Sequence, residues 1–378
     1  MSPDTPASDP VNLRPFSPQL SNVAHLGESP NLDLMRSFAV LSVFVDHIAG
    51  TFGIAQRHGD WFWALAHWGV LLFFVHTSFV LMMSMERLRL DGLKLHTTFY
   101  IRRLFRIYQL SIVAVVVVVM TRIPVASWDA YTHLSHRTIF SNLILCQNLF
   151  NRPSVMGPLW SLPLEVQMYL LLPALFIFVR RTSIGPLVGV WLASVGIGLV
   201  QPWLGAASFG QQLGIDRLGI AEYIPCFLAG VIAYYISLRR NGRSLPFWAW
   251  ALTLFVMAAV YSGWWVRAGN RPYQKWICCL VIGLVVVQCA ESTHQFLNRL
   301  THHIAKYSYG LYLGQVPVLW LVFIKLNGLR PSLQWPLFIF LIIAVPVASY
   351  HLIEHPLIRI GARMSSSEIN MRALRPAP

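Results

Sequence analysis

Apolar residues run through this chain in long blocks that do not alternate with polar ones. The blocks are parted by short stretches rich in charge, proline or glycine. A run of about 18 or more apolar residues is long enough to cross about 30 Å of hydrocarbon as a helix. Inside lipid the backbone must satisfy its own hydrogen bonds, so uniformly apolar runs mean helices rather than the alternating strands of a barrel. The pattern predicts spans at residues 32–54, 61–85, 107–121, 160–179, 184–204, 219–238, 246–265, 274–291, 307–325 and 333–353. The third is short, but the run Val115 to Val119 gives it an apolar core. The connections leave no room for a second soluble domain, and no strong internal repeat is visible. The expected fold is all-α, a polytopic integral membrane bundle of about ten transmembrane helices.

Composition strengthens that picture. Of 378 residues, 56% are hydrophobic and 12% charged, against about 25% charged in soluble domains. The net charge of +14 would suggest nucleic acid in a soluble protein. In this chain the basic residues are read instead as loop anchors that set orientation, with no nucleic-acid partner. With the N-terminus in the cytoplasm, Lys and Arg number 18 on the cytoplasmic side and 10 on the other, Arg36 lying in the membrane. The bias predicts an N-in, C-in topology with an even number of spans, and the loop 86–106 carries most of it. Residues 1–30, with Pro3, Pro6, Pro10, Pro15, Pro18 and Pro30, read as a disordered cytoplasmic tail. They lack the continuous apolar stretch of a secretory signal. Residues 364–378 read as a second cytoplasmic tail. Cys146, Cys226, Cys278, Cys279 and Cys289 show no metal-ligand spacing and are read as small core residues, with no metal site and no disulfide.

Ionisable groups at membrane depth cost about 2.5–3.5 kcal/mol each on insertion scales and face the bundle interior. The first span nevertheless holds Asp33, Arg36, Asp46 and His47. Arg36 and His47 are eleven residues apart, which puts them within about 20° of one another around a helix and about 16 Å apart along it. They share a stripe with Val40, Val43 and Phe44 between them. Asp33, one turn before Arg36, is placed to pair with it; Asp46 is rotated away from His47. The bland alternative is an Arg36 that snorkels to the interface and a His47 satisfied in the core.

Three further segments stand out. In GPLWSLPLEVQMYLLLPALF, Pro163 suits only the first turn of a helix, so Ser161 reads as its N-cap. Glu165 then follows one turn later, where the helix dipole favours a carboxylate, while Trp160 and Tyr169 fit equally well as interfacial aromatics. In IRRLFRIYQL, Arg103 and Arg106 share a helix face just ahead of the third span. They suit either topology anchors or a phosphate site, because forked guanidiniums match phosphate oxygens bidentately. Near the C-terminus, Tyr307, Tyr309 and Tyr312 precede an apolar span, and Glu354 and His355 meet Pro356 at the end of the last one.

Taken in order, NLDLMRSFAVLSVFVDH, GVLLFFVHTSFVL, RRLFRI, PLWSLPLEVQMYLLLP, YSYGLYLGQVPV and IEHPLIR resemble the acyltransferase-3 family of integral-membrane O-acyltransferases, which includes bacterial O-antigen and exopolysaccharide acetylases. The resemblance covers a membrane domain at 31–363. It implies an enzyme that carries an acyl group, acetyl by family frequency, from cytoplasmic acyl-CoA to a hydroxyl of a glycan or glycolipid, in the bacterial inner membrane. Apart from that donor it implies no cofactor. It also implies His47 as the catalytic histidine with Arg36 as its partner, Glu165 and Ser161 in a second patch with Trp160 and Tyr169, Arg103 and Arg106 near the CoA phosphates, and Tyr309 near the substrate. The chain departs from the family at His76-Thr77-Ser78-Phe79, where a Ser-Gly-Phe is common. It departs again at Gln315, where many members carry a histidine, and no esterase-like domain follows the last span.

The imidazole of His47 suits two roles, general base toward a sugar hydroxyl or acceptor of the acyl group itself. Arg36 suits stabilisation of developing thioester charge or of a phosphate. A secondary transporter or flippase using His47, Asp46 and Glu165 as a proton relay is the alternative of a different class, disfavoured by the absence of an inverted repeat.

Overall fold

The computed structural model describes residues 29–54, 60–123, 134–207, 211, 214, 217–239, 242 and 244–373, with side chains through Ser365. The expected tail at 1–30 lies almost wholly outside the described residues. In chain order the helices are α1 Pro30–Thr51, α2 Trp61–Leu88, α3 Gly92–Thr121, the short α4 His136–Leu143, α5 Leu162–Arg181 and α6 Ile184–Ala206, then α7 Ile224–Arg239, α8 Phe247–Ala268, α9 Pro272–Val286, α10 Gln295–Leu319, α11 Pro331–Ser349 and α12 His355–Ala373. Each of the ten expected segments falls on one of these helices. Among the described residues, seven helical stretches are long and apolar enough to cross a membrane, formed by α2, α3, α5, α6, α8, α10 and α11 with their helical extensions. The apolar α7 and α9 are shorter, and α1 carries the four ionisable groups that lower its hydropathy.

The third segment is longer than its apolar block. The expected loop 86–106 is mostly helix, because α3 begins at Gly92. Its 30 residues make a helix of about 45 Å, longer than the roughly 30 Å of hydrocarbon. Leu95, Thr98 and Phe99 are buried on its basic half, which α12 covers by running back along it. Arg102 Nε donates to Ser365 Oγ across this contact at 3.1 Å.

At the centre, α1 packs between α2 and α10, and α2 packs in turn on α7 and α8. The close α1–α2 approach needs Gly69, where an added Cβ would sit 2.5 Å from the Ala39 carbonyl oxygen. Small residues at such crossings let helices touch where lipid supplies no hydrophobic drive. The first turn of α1 is capped by Ser29 and preset by Pro30. Asn31 ties it down from both sides, its Nδ2 donating to Ala290 O at 3.0 Å and its carbonyl accepting from Trp250 Nε1 at 3.1 Å.

Two π-helical turns, Trp320–Lys325 after Pro317 and Tyr350–Glu354 after Pro346, interrupt the last membrane helices. A proline removes one ladder hydrogen bond, and a wider turn rebuilds the ladder with altered side-chain directions. The second of these turns carries the fully buried Glu354.

Candidate active site

Three adjoining cavities follow α1 from end to end. The first opens beside Asp33, Arg87, His302 and Lys306. The second lies deeper and is lined by Arg36, His76, Thr77, Arg103, Arg106, Ser161, Glu165, Tyr169, Ser308, Tyr309 and Tyr312. These two share Arg36, His76, Val80 and Arg106. The third holds Asp46, His47, Trp63, His67 and Trp160 and shares Val70 and Tyr312 with the second. The helical stripe therefore works as its spacing predicts, since Arg36 and His47 both face the cavities while Val40 and Val43 are buried between them.

Arg36 does not snorkel. Its Nε donates to Ser308 Oγ on α10 at 2.6 Å, and it lies within electrostatic reach of Glu165, Glu354 and Arg106. The expected Asp33–Arg36 pair does not form. Asp33 instead meets His302 Nδ1 at 2.9 Å, because α10 offers a partner on the outer face while Arg36 turns inward.

On α3, Arg103 and Arg106 face the second cavity while Arg102 turns to α12, as positions three apart on one helix face require. Arg106 Nη1 lies 3.5 Å from the buried Glu354 carboxylate. Glu165 accepts a short hydrogen bond from Tyr169 one turn later, and Arg36, Thr77 and Arg103 surround it. Tyr169 is thus a cavity residue rather than an interfacial one.

Ser161 stands at the N-cap position of α5 but does not cap it. Its hydroxyl shares a 2.8 Å hydrogen bond with Tyr312, which also donates to Pro158 O at 2.9 Å. The preceding 3-10 turn, Gly157–Trp160, already winds the backbone into the helix and frees the side chain for this link. Tyr309 donates to Ile107 O at 2.6 Å and closes the wall between α10 and α3.

The two departures from the family pattern have different places. His76 and Thr77 line the cavity of Arg36, whereas Gln315 is buried beside His47. His67 and Trp63 carry no signal in the sequence, because α2 is apolar on nearly all sides and gives no periodic pattern. His67 is stacked against Trp160, with centroids 5.5 Å apart and planes at 13°, and against Tyr261 at 6.3 Å and 8°. In the sequence Glu354 stands only at the end of the last span; the π turn that points it inward has no sequence signature beyond Pro346.

The family model described as "Acyltransferase domain" matches residues 29–351. The chain is similar to O-acetyltransferase OatA of Staphylococcus aureus strains NCTC 8325 / PS 47, COL and MRSA252, at 24% identity over 362 residues and 88% of this chain in each case. The chain spans 57% of the length of these relatives. No solved structure matches it.

Proposed function

The chain belongs to the acyltransferase family whose domain model spans its residues 29–351, and from that premise we propose that it is a membrane O-acetyltransferase moving acetyl from acyl-CoA to a hydroxyl of a glycan or glycolipid. The observation that carries this reading is the run of cavities along α1, basic at one end and holding His47 at the other.

The loop-charge bias supports an N-in, C-in bundle of ten spans, with the Arg87 and Lys306 mouth toward the cytoplasm, where acyl-CoA lives. The nucleotide end of CoA is polyanionic, and Arg103 and Arg106 offer it forked donors. Its thin pantetheine arm follows the stripe past Arg36 toward His47. There the imidazole takes the proton of the acceptor hydroxyl, and the oxygen attacks the thioester carbonyl carbon. The C–S bond breaks and the departing CoA thiolate receives a proton.

Position separates the roles. Arg36 is held at Ser308 and His47 sits beside Gln315, two turns further along α10, an axial gap of about 10 Å. Both groups cannot touch one thioester carbonyl, so Arg36 holds the donor's arm or phosphate and Glu165 orients Arg36 and Arg103. The test is labelled acetyl-CoA added to membranes of cells that make the protein. Wild type labels glycan ester, which a transporter would not do. His47→Ala abolishes the label while inserting normally, and full labelling by that variant would refute the assignment. Acyl trapped on His47 by rapid quench would make it a carrier rather than a base.

A further inference from the structure

The cavity at the His47 end contains more than the transfer reaction requires. Trp63, on the first turn of α2, is 58% exposed and stands in its wall. Trp160 forms a second aromatic wall and stacks flat on His67. His67 is clamped between Trp160 and Tyr261, so its ring cannot turn, and among the described residues its buried Nε2 has no hydrogen-bond partner. Asp46 is buried and lines the same cavity, and among the described residues it forms no hydrogen bond or ion pair. Buried polar groups of this kind are ordinarily satisfied.

Resting on the reading of His47 as the acyl-transfer histidine, we propose that this cavity is the acceptor site and that it binds a pyranose ring between the Trp63 and Trp160 indoles, with ring hydroxyls on Asp46 and His67. A sugar has an apolar C–H face that suits an indole and a polar rim that suits a carboxylate and an imidazole. An alkyl chain would leave Asp46 and His67 unsatisfied, and an anionic headgroup would be repelled by Asp46. A hydroxyl on the same ring is then presented to His47, which shares the cavity. The donor mouth lies beyond Arg36, at the opposite end of α1, so donor and acceptor enter from opposite ends and the acetyl group leaves on the side of Trp63.

The experiment uses the full chain, labelled acetyl-CoA as the probe, and ester label on glycan in membranes of the producing cells. Donor binding is read separately, as labelled CoA retained by the purified protein in nanodiscs. Loss of one stacking face lowers glycan labelling about tenfold in Trp63→Ala, with CoA retained as in wild type. Trp63→Phe restores labelling, and Trp63→Leu, apolar but not flat, does not. Wild-type labelling by Trp63→Ala overturns the acceptor site alone when His47→Ala is inactive. Equal rescue by Leu and Phe also overturns it, because an alkyl contact would then suffice. Wild-type labelling by His47→Ala removes the transfer reading itself, and with it the premise of this site.

Discussion

His47 and Gln315 lie side by side where α1 meets α10, and each keeps a polar atom in reserve. Among the described residues Nδ1 of His47 and Oε1 of Gln315 have no partner, while Gln315 Nε2 donates to Tyr312 O at 3.3 Å. The amide is therefore oriented with its oxygen spare. Gln315 is thus placed to hold one nitrogen of the His47 ring, which in the proposed general-base role leaves the other nitrogen to take the proton.

Gln315→Leu removes that acceptor. A lost buried partner costs about 1–3 kcal/mol, which is a fall of about 5–150-fold in transfer rate. Gln315→Glu keeps an acceptor and retains most of the rate. Steady-state kinetics with labelled acetyl-CoA check this, with the apparent KM for the donor unchanged in both variants. A purely structural residue would move the two parameters together.

Arg103→Ala combined with Arg106→Ala should weaken donor binding more than it slows transfer at saturation. Hydrogen bonds to charged groups contribute about 1.5–3 kcal/mol each, so the apparent KM for acetyl-CoA rises by at least about tenfold. Arg102→Ala is the control, because Arg102 is spent on Ser365. An unchanged KM in the double variant would return the pair to topology anchors.

In the proposed donor site Glu354 would compete with a CoA phosphate for Arg106. Its carboxylate is fully buried and 3.5 Å from the guanidinium. Glu354→Gln removes the negative charge and keeps the shape, so Arg106 should bind phosphate more strongly and the apparent KM for acetyl-CoA should fall. Titration of labelled CoA onto the purified variant measures the change directly, and weaker binding would assign Glu354 a role in holding Arg106 in place.

Gly69 is where α1 and α2 touch. Gly69→Leu forces the two helices apart, and overpacking of this kind costs about 1–3 kcal/mol. A lowered melting temperature in detergent, followed by size-exclusion chromatography, is the expected result. Gly53, whose added Cβ would meet nothing within 4 Å, is compared as Gly53→Asn because its φ is +69°. Asn tolerates that left-handed backbone, so Gly53→Asn should melt close to wild type.

Much of the fold is written in hydropathy alone. A block of about 20 apolar residues has one low-energy answer in lipid, and so the ten expected segments coincide with helices without any knowledge of packing. Helical periodicity likewise put Arg36 and His47 on one stripe and set Arg103 and Arg106 apart from Arg102, since those relations lie within a single helix. Tertiary structure decided whatever depends on a second helix. Asp33 chose His302 over Arg36, Ser161 chose Tyr312 over its own helix end, and the basic loop became the first half of α3 under the cover of α12. Gln315, His67, Trp63 and Glu354 gained their places only because α2, α10 and a π turn after Pro346 bring them to α1. Local sequence sets which side chains share a face. Which side chains meet across faces is set by the close approaches of helices, and those depend on small residues and prolines far away in the chain.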